Sequence, residues 1–166
     1  NIPSGATIQG IVAEVEKKDT VAGDILDGGV FIVKNNLSTG TDHSSADTWP
    51  TTDTYSTYGS SSDLWGVGWT PADINNQTGF GVQIEAGPAS VGSVVTIDHI
   101  RITVYYFLPP SQPTNLRPTN NTIFAYNSSI MLNWTNSTVN NDGKNLSYLI
   151  DVSTDSNFNV INYSAD

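Results

Sequence analysis

The chain of 166 residues lacks cysteine, has few basic residues and contains no long apolar run. Without cysteine there can be no disulfide, no thiol chemistry and no cysteine-ligated metal site. Six basic residues against sixteen acidic ones give a formal net charge of −10, which argues against nucleic acid and against anionic membrane surfaces as partners. No apolar run reaches the roughly 18 residues of a membrane span, so no membrane insertion is expected in this segment.

Charged residues make up only 13% of the chain, and serine, threonine, asparagine and glycine take their place. This balance is typical of an all-β surface protein and not of a helical cytosolic enzyme. We therefore predict an extracellular or cell-surface location.

Hydrophobicity alternates with a period of two in several segments, as expected of strands with one buried face. In the first segment Ile11, Ala13 and Val15 share one face, and Glu14 and Glu16 lie on the other. The same alternation recurs in Phe80–Ala86 and in the residues from Ile100 to Tyr106. Such segments favour antiparallel sheets with one face in solvent. The long polar stretch 38–62 is expected to be a loop with one short strand near Thr54–Tyr58.

A proline-rich segment, residues 108–113, predicts a linker between two modules, 1–107 and 114–166. In the second module, alternation points Ile130, Leu132 and Trp134 inward from one strand and Tyr148, Ile150 and Val152 inward from another, with a turn at 140–143 between them. Two strands and a buried tryptophan favour an immunoglobulin-like or fibronectin type III-like sandwich, but the segment is far shorter than the roughly 100 residues of that fold. The predicted fold is therefore all-β: an antiparallel, jelly-roll-like β-sandwich followed by an incomplete immunoglobulin or fibronectin type III-like sandwich.

Two resemblances follow from ordered motifs. IPSGATIQGIVAEVE, LWGVGWTPADIN, FGVQIEA and VTIDHIRITVYY resemble a β-sandwich module of phage and prokaryotic surface proteins. PTNLRPTNNTIF, SIMLNWTNST and NNDGKNLSYLIDVSTDSNF resemble prokaryotic, especially archaeal, fibronectin type III-like repeats, although the later Tyr-x-Trp-x-Val strand of that family is absent. The second resemblance implies surface-displayed, tandem, non-catalytic sandwiches.

Eight Asn-x-Ser/Thr sequons are present, and six of them cluster in the last third of the chain. A sequon is used only on a surface that faces a glycosylating compartment. Strand alternation places Asn133 outward, beside the inward Trp134, and none of the eight falls on an inward position. The predicted N-glycosylation sites are Asn36, Asn76, Asn120, Asn127, Asn133, Asn136, Asn145 and Asn162.

Other candidate sites are weaker. Trp49, Tyr55 and Tyr58 could form a platform on which a sugar stacks, whereas Trp65 and Trp69 are expected to be structural. Acidic loop residues suit Ca²⁺, with Asp24 and Asp27 as the candidate ligands; no other cofactor is expected.

His43 and His99 are predicted to be solvated. The acidic residues Glu14 and Glu16 lie too regularly on one strand face to form a catalytic pair. We expect no enzyme.

The composition, the sequons and the incomplete second module lead to one functional hypothesis. The chain would be a structural subunit of an extracellular, N-glycosylated filament or appendage, of archaeal type, whose protomers share β-strands. Its main partner would be itself, with surface glycans as a further option. The alternatives are a phage or virus fibre or virion-decoration protein, and a carbohydrate-binding module of an adhesin or secreted enzyme.

Overall fold

The computed structural model describes residues 1–88, 92–138 and 145–165. The described residues contain ten strands and one five-residue helix, and every strand pair is antiparallel. The predicted all-β, sandwich-like fold is therefore confirmed. The chain divides into two compact units, Asn1–Leu108 and Pro109–Asp166. The turn predicted at 140–143 lies outside the described residues.

The first unit is a sandwich of two three-stranded sheets. One sheet has the order β4-β1-β6 and the other the order β3-β2-β5. The bounds of its elements are β1 Thr7–Asp19, β2 Asp27–Lys34, β3 Leu37–Thr39, β4 Thr54–Ser60, α1 Pro71–Asn75, β5 Phe80–Ala86 and β6 Val95–Phe107. The short strand predicted near Thr54–Tyr58 is β4.

The core lies between the two sheets and follows the predicted alternation. Ile11, Ala13 and Val15 of β1 are fully buried, and they pack with Val30 and Ile32 of β2. The inward residues of β5 and β6 close the core from the sides, as predicted for Phe80, Val82, Ile84, Ile102 and Val104. Trp65 fills the centre with no exposed surface, and its Nε1 donates to the carbonyl oxygen of Ile11 at 2.9 Å.

The helix α1 begins at a capping box. The Thr70 hydroxyl accepts from the backbone N–H of Asp73 at 3.2 Å, and the Asp73 carboxylate accepts from the Thr70 backbone N–H at 2.8 Å. Pro71 suits the first helical position because it has no N–H to satisfy. These features explain why so short a helix forms inside an all-β unit.

The second unit has two two-stranded sheets, β7-β8 and β9-β10. The bounds are β7 Thr114–Arg117, β8 Asn133–Thr135, β9 Ile150–Val152 and β10 Tyr163–Ala165. The strands are shorter than the alternation predicted, and Ile130, Leu132 and Val152, expected inward, are 51%, 46% and 46% exposed. Among the described residues each of these strands has one paired neighbour, and a two-stranded sheet offers its apolar side chains little surface to pack against, which accounts for both differences.

The part of the chain that the structure describes has no helix with the length and apolar character needed to cross a membrane.

Candidate functional site

The inner face of β1 changes from apolar to polar along its length. After Ile11, Ala13 and Val15, the next two inward positions are Lys17 and Asp19, which are 2% and 0% exposed. Charged side chains are rarely buried this fully unless they are paired. One end of the sandwich core is therefore an ionic site.

The carboxylate of Asp27, the first residue of β2, is the centre of this site. Its Oδ1 accepts from Lys17 Nζ at 2.5 Å and from Trp49 Nε1 at 2.8 Å. Its Oδ2 accepts from the Tyr58 hydroxyl at 2.9 Å and from the Ser45 backbone N–H at 3.0 Å. We call these five residues, Lys17, Asp27, Ser45, Trp49 and Tyr58, the Asp27 network.

Lys17 is held from several sides within the network. Its Nζ also donates to the Tyr58 hydroxyl at 2.5 Å and lies 4.7 Å from the centre of the Trp49 ring, within the range of a cation–π contact. The side chains of Lys17 and Asp27 are 3% and 0% exposed. The contacts therefore fix the position of the ammonium group beside the carboxylate.

The electrostatics of the network follow from these contacts. Burial opposes ionisation of Asp27, but hydrogen bonds from Lys17, Ser45, Tyr58 and Trp49 outweigh it and hold its pKa below the usual value. Burial, together with the hydrogen bond to Asp27, raises the pKa of Tyr58. Tyr58 therefore stays protonated, and its hydroxyl donates a hydrogen bond to the carboxylate of Asp27.

The network anchors the long loop that precedes β4. The loop bonds to β2 and to the segment before it, through His43 N to Val30 O at 2.9 Å and Trp49 N to Ile25 O at 2.7 Å. Beside the network is a polar cavity of ≈ 330 Å³, whose lining includes Lys17, His43, Ser45, Asp47 and Tyr58. The cavity has room for several water molecules.

A second candidate site is the outer edge of β6, where no strand pairs among the described residues. Pairing with β1 assigns the inward side chains, because Ile100 is opposite Val15 and Tyr106 is opposite Ile8. Val15 and Ile8 are 0% and 6% exposed, whereas Ile100 and Tyr106 are 43% and 40% exposed. Val95 and Ile97, opposite Asp19 and Lys17, are 39% and 40% exposed. The core-facing row of β6 is thus open at both ends, whereas Ile102 and Val104 in its middle pack against the core.

The second unit also leaves apolar surface open. Its described part contains no buried hydrophobic side chain. Ile123 and Tyr126 are each 94% exposed, and Met131 is 83% exposed. Trp134 and Tyr148, with ring centres 5.3 Å apart, line a groove of ≈ 270 Å³.

The three aromatic residues predicted as a sugar platform are not on one surface. Trp49 and Tyr58 are 2% and 4% exposed, so neither ring offers a face to a ligand. They are buried because their polar atoms bond to Asp27. Tyr55 is 42% exposed and lies beside Arg101, whose guanidinium carbon is 5.5 Å from the ring centre. The stacking hypothesis therefore rests on Tyr55 alone.

The two predicted calcium ligands, Asp24 and Asp27, have different surroundings. Both oxygens of Asp27 are occupied by the network, and Asp24 is half-buried in the loop between β1 and β2. In residues 1–88, 92–138 and 145–165, no three His, Cys, Asp or Glu side chains lie close enough together to hold a metal ion. The hypothesis of a Ca²⁺ site draws no support from this geometry.

His43 departs from its predicted solvation. Its ring packs edge-on against Trp65 with centres 4.3 Å apart. Its Nε2 is buried and lies 3.1 Å from Asp63 Oδ2 without forming a hydrogen bond. The loop folds back over the core tryptophan and takes His43 with it. His99 remains exposed, as predicted.

The sequons lie on accessible surface. Seven of the eight asparagines are exposed, and Asn76, the C-cap of α1, is half-buried. All six in the second unit are exposed, including Asn133 beside the half-buried Trp134. Their positions are therefore compatible with glycosylation.

Sequence reasoning missed Lys17 and Asp19 as site residues, although a signal for them was present. Continuing the period-two phase of Ile11, Ala13 and Val15 places Lys17 and Asp19 inward. Two charges on the buried phase of a strand would have indicated an ionic site.

Comparison with protein-family models, with curated proteins and with solved structures found no match to this chain. The Asp27 network and the open edge of β6 are the features of this chain that bear on its function.

Proposed function

We propose that this chain is a structural subunit of an extracellular, N-glycosylated surface filament or appendage whose protomers assemble by sharing β-strands. The observation that carries the proposal is the contrast between β1 and β6. The core-facing row is buried along β1, whereas on β6 only its middle, Ile102 and Val104, packs against the core and both ends of the row are open.

An added strand beside β6 would remove this contrast. It would pair with the outer backbone groups of β6 near Ile100 and cover the partly exposed side chains of Ile100 and Tyr106. Completing the burial of each such side chain contributes roughly 1 kcal/mol. Edge strands that are long and apolar normally recruit a pairing partner or are protected from one, and β6, at 13 residues, is long.

The second unit supports self-assembly as the source of that strand. Its strand β10 begins at Tyr163, which is 61% exposed, and the residues just before this strand include Val160 and Ile161, which are 60% and 44% exposed. Two-stranded sheets are marginal by themselves in water. One chain thus carries both an open edge and uncovered strands, which is the combination that head-to-tail assembly requires.

The sequons favour contact through edges over contact through faces. Six of them lie on exposed positions of the second unit. If they carry glycans, the bulky sugars prevent close packing of the surrounding faces. Strand pairing at an edge needs only a narrow strip of backbone.

The experiment is sedimentation velocity of the full chain over a range of concentrations. Wild-type protein is expected to form oligomers that grow with concentration. Ile100→Lys puts a charge into the open row at a position that solvent already reaches, so the fold should survive while oligomers are lost. Thr96→Lys is the matched control, because Thr96 lies on the same strand opposite Lys18, on the solvent side.

A wild-type chain that stays monomeric at every concentration would contradict the proposal. So would equal loss of oligomers in Ile100→Lys and Thr96→Lys, because a general charge effect would then explain the result.

A further inference from the structure

We propose that Lys17 and Asp27 condense to form an intramolecular amide that joins β1 to β2. The bond would link the Nζ of Lys17 to the Cγ of Asp27 with the release of one water molecule. It would tie the two sheets of the sandwich together covalently. This modification is independent of strand sharing and stands on the Asp27 network alone.

The two reacting groups are already in place. Lys17 Nζ lies 2.5 Å from Asp27 Oδ1, and the side chains are 3% and 0% exposed. The ammonium group is fixed by the Trp49 ring and the Tyr58 hydroxyl. Holding two groups in contact in this way gives an intramolecular reaction a large advantage over the same reaction in free solution.

Tyr58 provides a path for the protons. Its hydroxyl accepts from Lys17 Nζ at 2.5 Å and donates to Asp27 Oδ2 at 2.9 Å. One proton passes from the ammonium group through this hydroxyl to Oδ2, which leaves a neutral amine and a neutral acid. The hydrogen bonds to Asp27 favour the ionised carboxylate, so the exchange costs free energy, and burial of the pair reduces that cost because two charges are unfavourable away from water.

The amine then attacks Cγ, and the bond between Nζ and Cγ forms. Negative charge develops on Oδ1, where the Trp49 N–H donates at 2.8 Å and stabilises it. A second proton moves from Nζ through Tyr58 to Oδ2. The bond between Cγ and Oδ2 breaks, and Oδ2 leaves as water. The third proton stays on the amide nitrogen, so atoms and charge balance.

The surroundings give the leaving water an exit. Lys17 and Tyr58 both line the polar cavity of ≈ 330 Å³. The amide also removes two buried charges, and a buried ion pair stabilises a fold little compared with neutral packing. Condensation therefore relieves an electrostatic cost in the core.

The test is the intact mass of the full chain, made in a bacterial cytosol without glycans, on the soluble fraction whose circular dichroism shows β structure. The expected mass is lower than the sequence mass by one water molecule. Proteolysis should release one branched peptide pair joined through Lys17 and Asp27. A folded wild-type protein at the full sequence mass would overturn the proposal.

Three variants locate the bond. Lys17→Arg keeps the charge but not the nucleophilic amine, so it should show the full mass. Lys18→Arg is the matched control, because Lys18 pairs with Asp53 at 2.7 Å on the surface and should leave the mass loss intact. Tyr58→Phe should slow the loss of water, timed by mass from the end of a synthesis pulse, by roughly 100-fold, the size of a typical acid–base contribution. Mass loss in Lys17→Arg would refute the bond. An unchanged rate in Tyr58→Phe would refute the proton path through its hydroxyl.

Discussion

Gly59 of β4 lies where the strand passes closest to the core. Its φ is +76°, and a Cβ built on it would collide with the backbone carbonyl of Ile11 and come within 2.7 Å of Trp65 Nε1. The same two atoms, Ile11 O and Trp65 Nε1, form the hydrogen bond that seats the central tryptophan. A side chain at Gly59 would therefore disturb the backbone and the core together.

Gly59→Ala is expected to lower the free energy of unfolding by roughly 2 kcal/mol or more, since it combines a left-handed backbone with a core clash. Thermal unfolding followed by circular dichroism measures the change. Gly68→Ala is the control, because a Cβ at Gly68 meets nothing within 4 Å and its φ is not positive. Equal effects in the two variants would contradict this account of Gly59.

Asp73 gives the fold a defined response to acid. Hydrogen bonds from the Thr70 hydroxyl and backbone, together with Lys34 at 3.0 Å, hold the pKa of Asp73 below its usual value. A depressed folded-state pKa adds stability above the unfolded pKa of about 3.9, and that stability is lost as the pH falls through the folded pKa. Wild type should therefore exceed Asp73→Asn in melting temperature at neutral pH and converge with it in strong acid. A gap that stays constant with pH would argue against this role.

Among the elements, β1 was the most predictable and the loop before β4 the least. The alternation of Ile11, Ala13 and Val15 specifies a buried face from local pattern alone. The partners of Asp27 come from β1, the loop and β4, up to 31 residues away in sequence. No local pattern encodes such convergence, which is why the sequence predicts a sugar-stacking role for Trp49 and Tyr58 and does not reveal their burial. The open edge of β6 was equally out of reach, because a hydrophobic row does not reveal whether another strand covers it.

The loop before β4 depends on Trp49. Its ring is 2% exposed, its Nε1 bonds to Asp27, and its backbone N–H bonds to Ile25. Trp49→Ala is expected to lower the free energy of unfolding by about 3–5 kcal/mol and to open the loop to protease cleavage within residues 40–53. Limited proteolysis with mass mapping measures this directly. Tyr55→Ala removes an exposed ring and should be cleaved no faster than wild type. Equal cleavage of the Trp49→Ala and Tyr55→Ala variants would contradict the anchoring role of Trp49.

At the scale of the whole molecule, both units leave apolar surface uncovered, but only the first has a packed core among the described residues. Each leaves apolar surface uncovered, through β6 in the first unit and through residues such as Ile123 and Met131 in the second. The first unit has a packed core, whereas the described part of the second has none. If strand sharing occurs as proposed, it would stabilise the chain, because binding that occurs only in the folded state adds to the free energy of unfolding.

Hydrogen–deuterium exchange along β6, measured on the full chain at increasing concentration, tests strand sharing most directly. Backbone amides on the open edge of β6 should exchange fast in dilute protein and become protected as protomers associate, while Ile100→Lys keeps the fast rate throughout. Amides of β1, paired on both sides, should stay protected at every concentration. If the exchange of β6 is the same in dilute and concentrated protein, its edge receives no strand and the central claim is wrong.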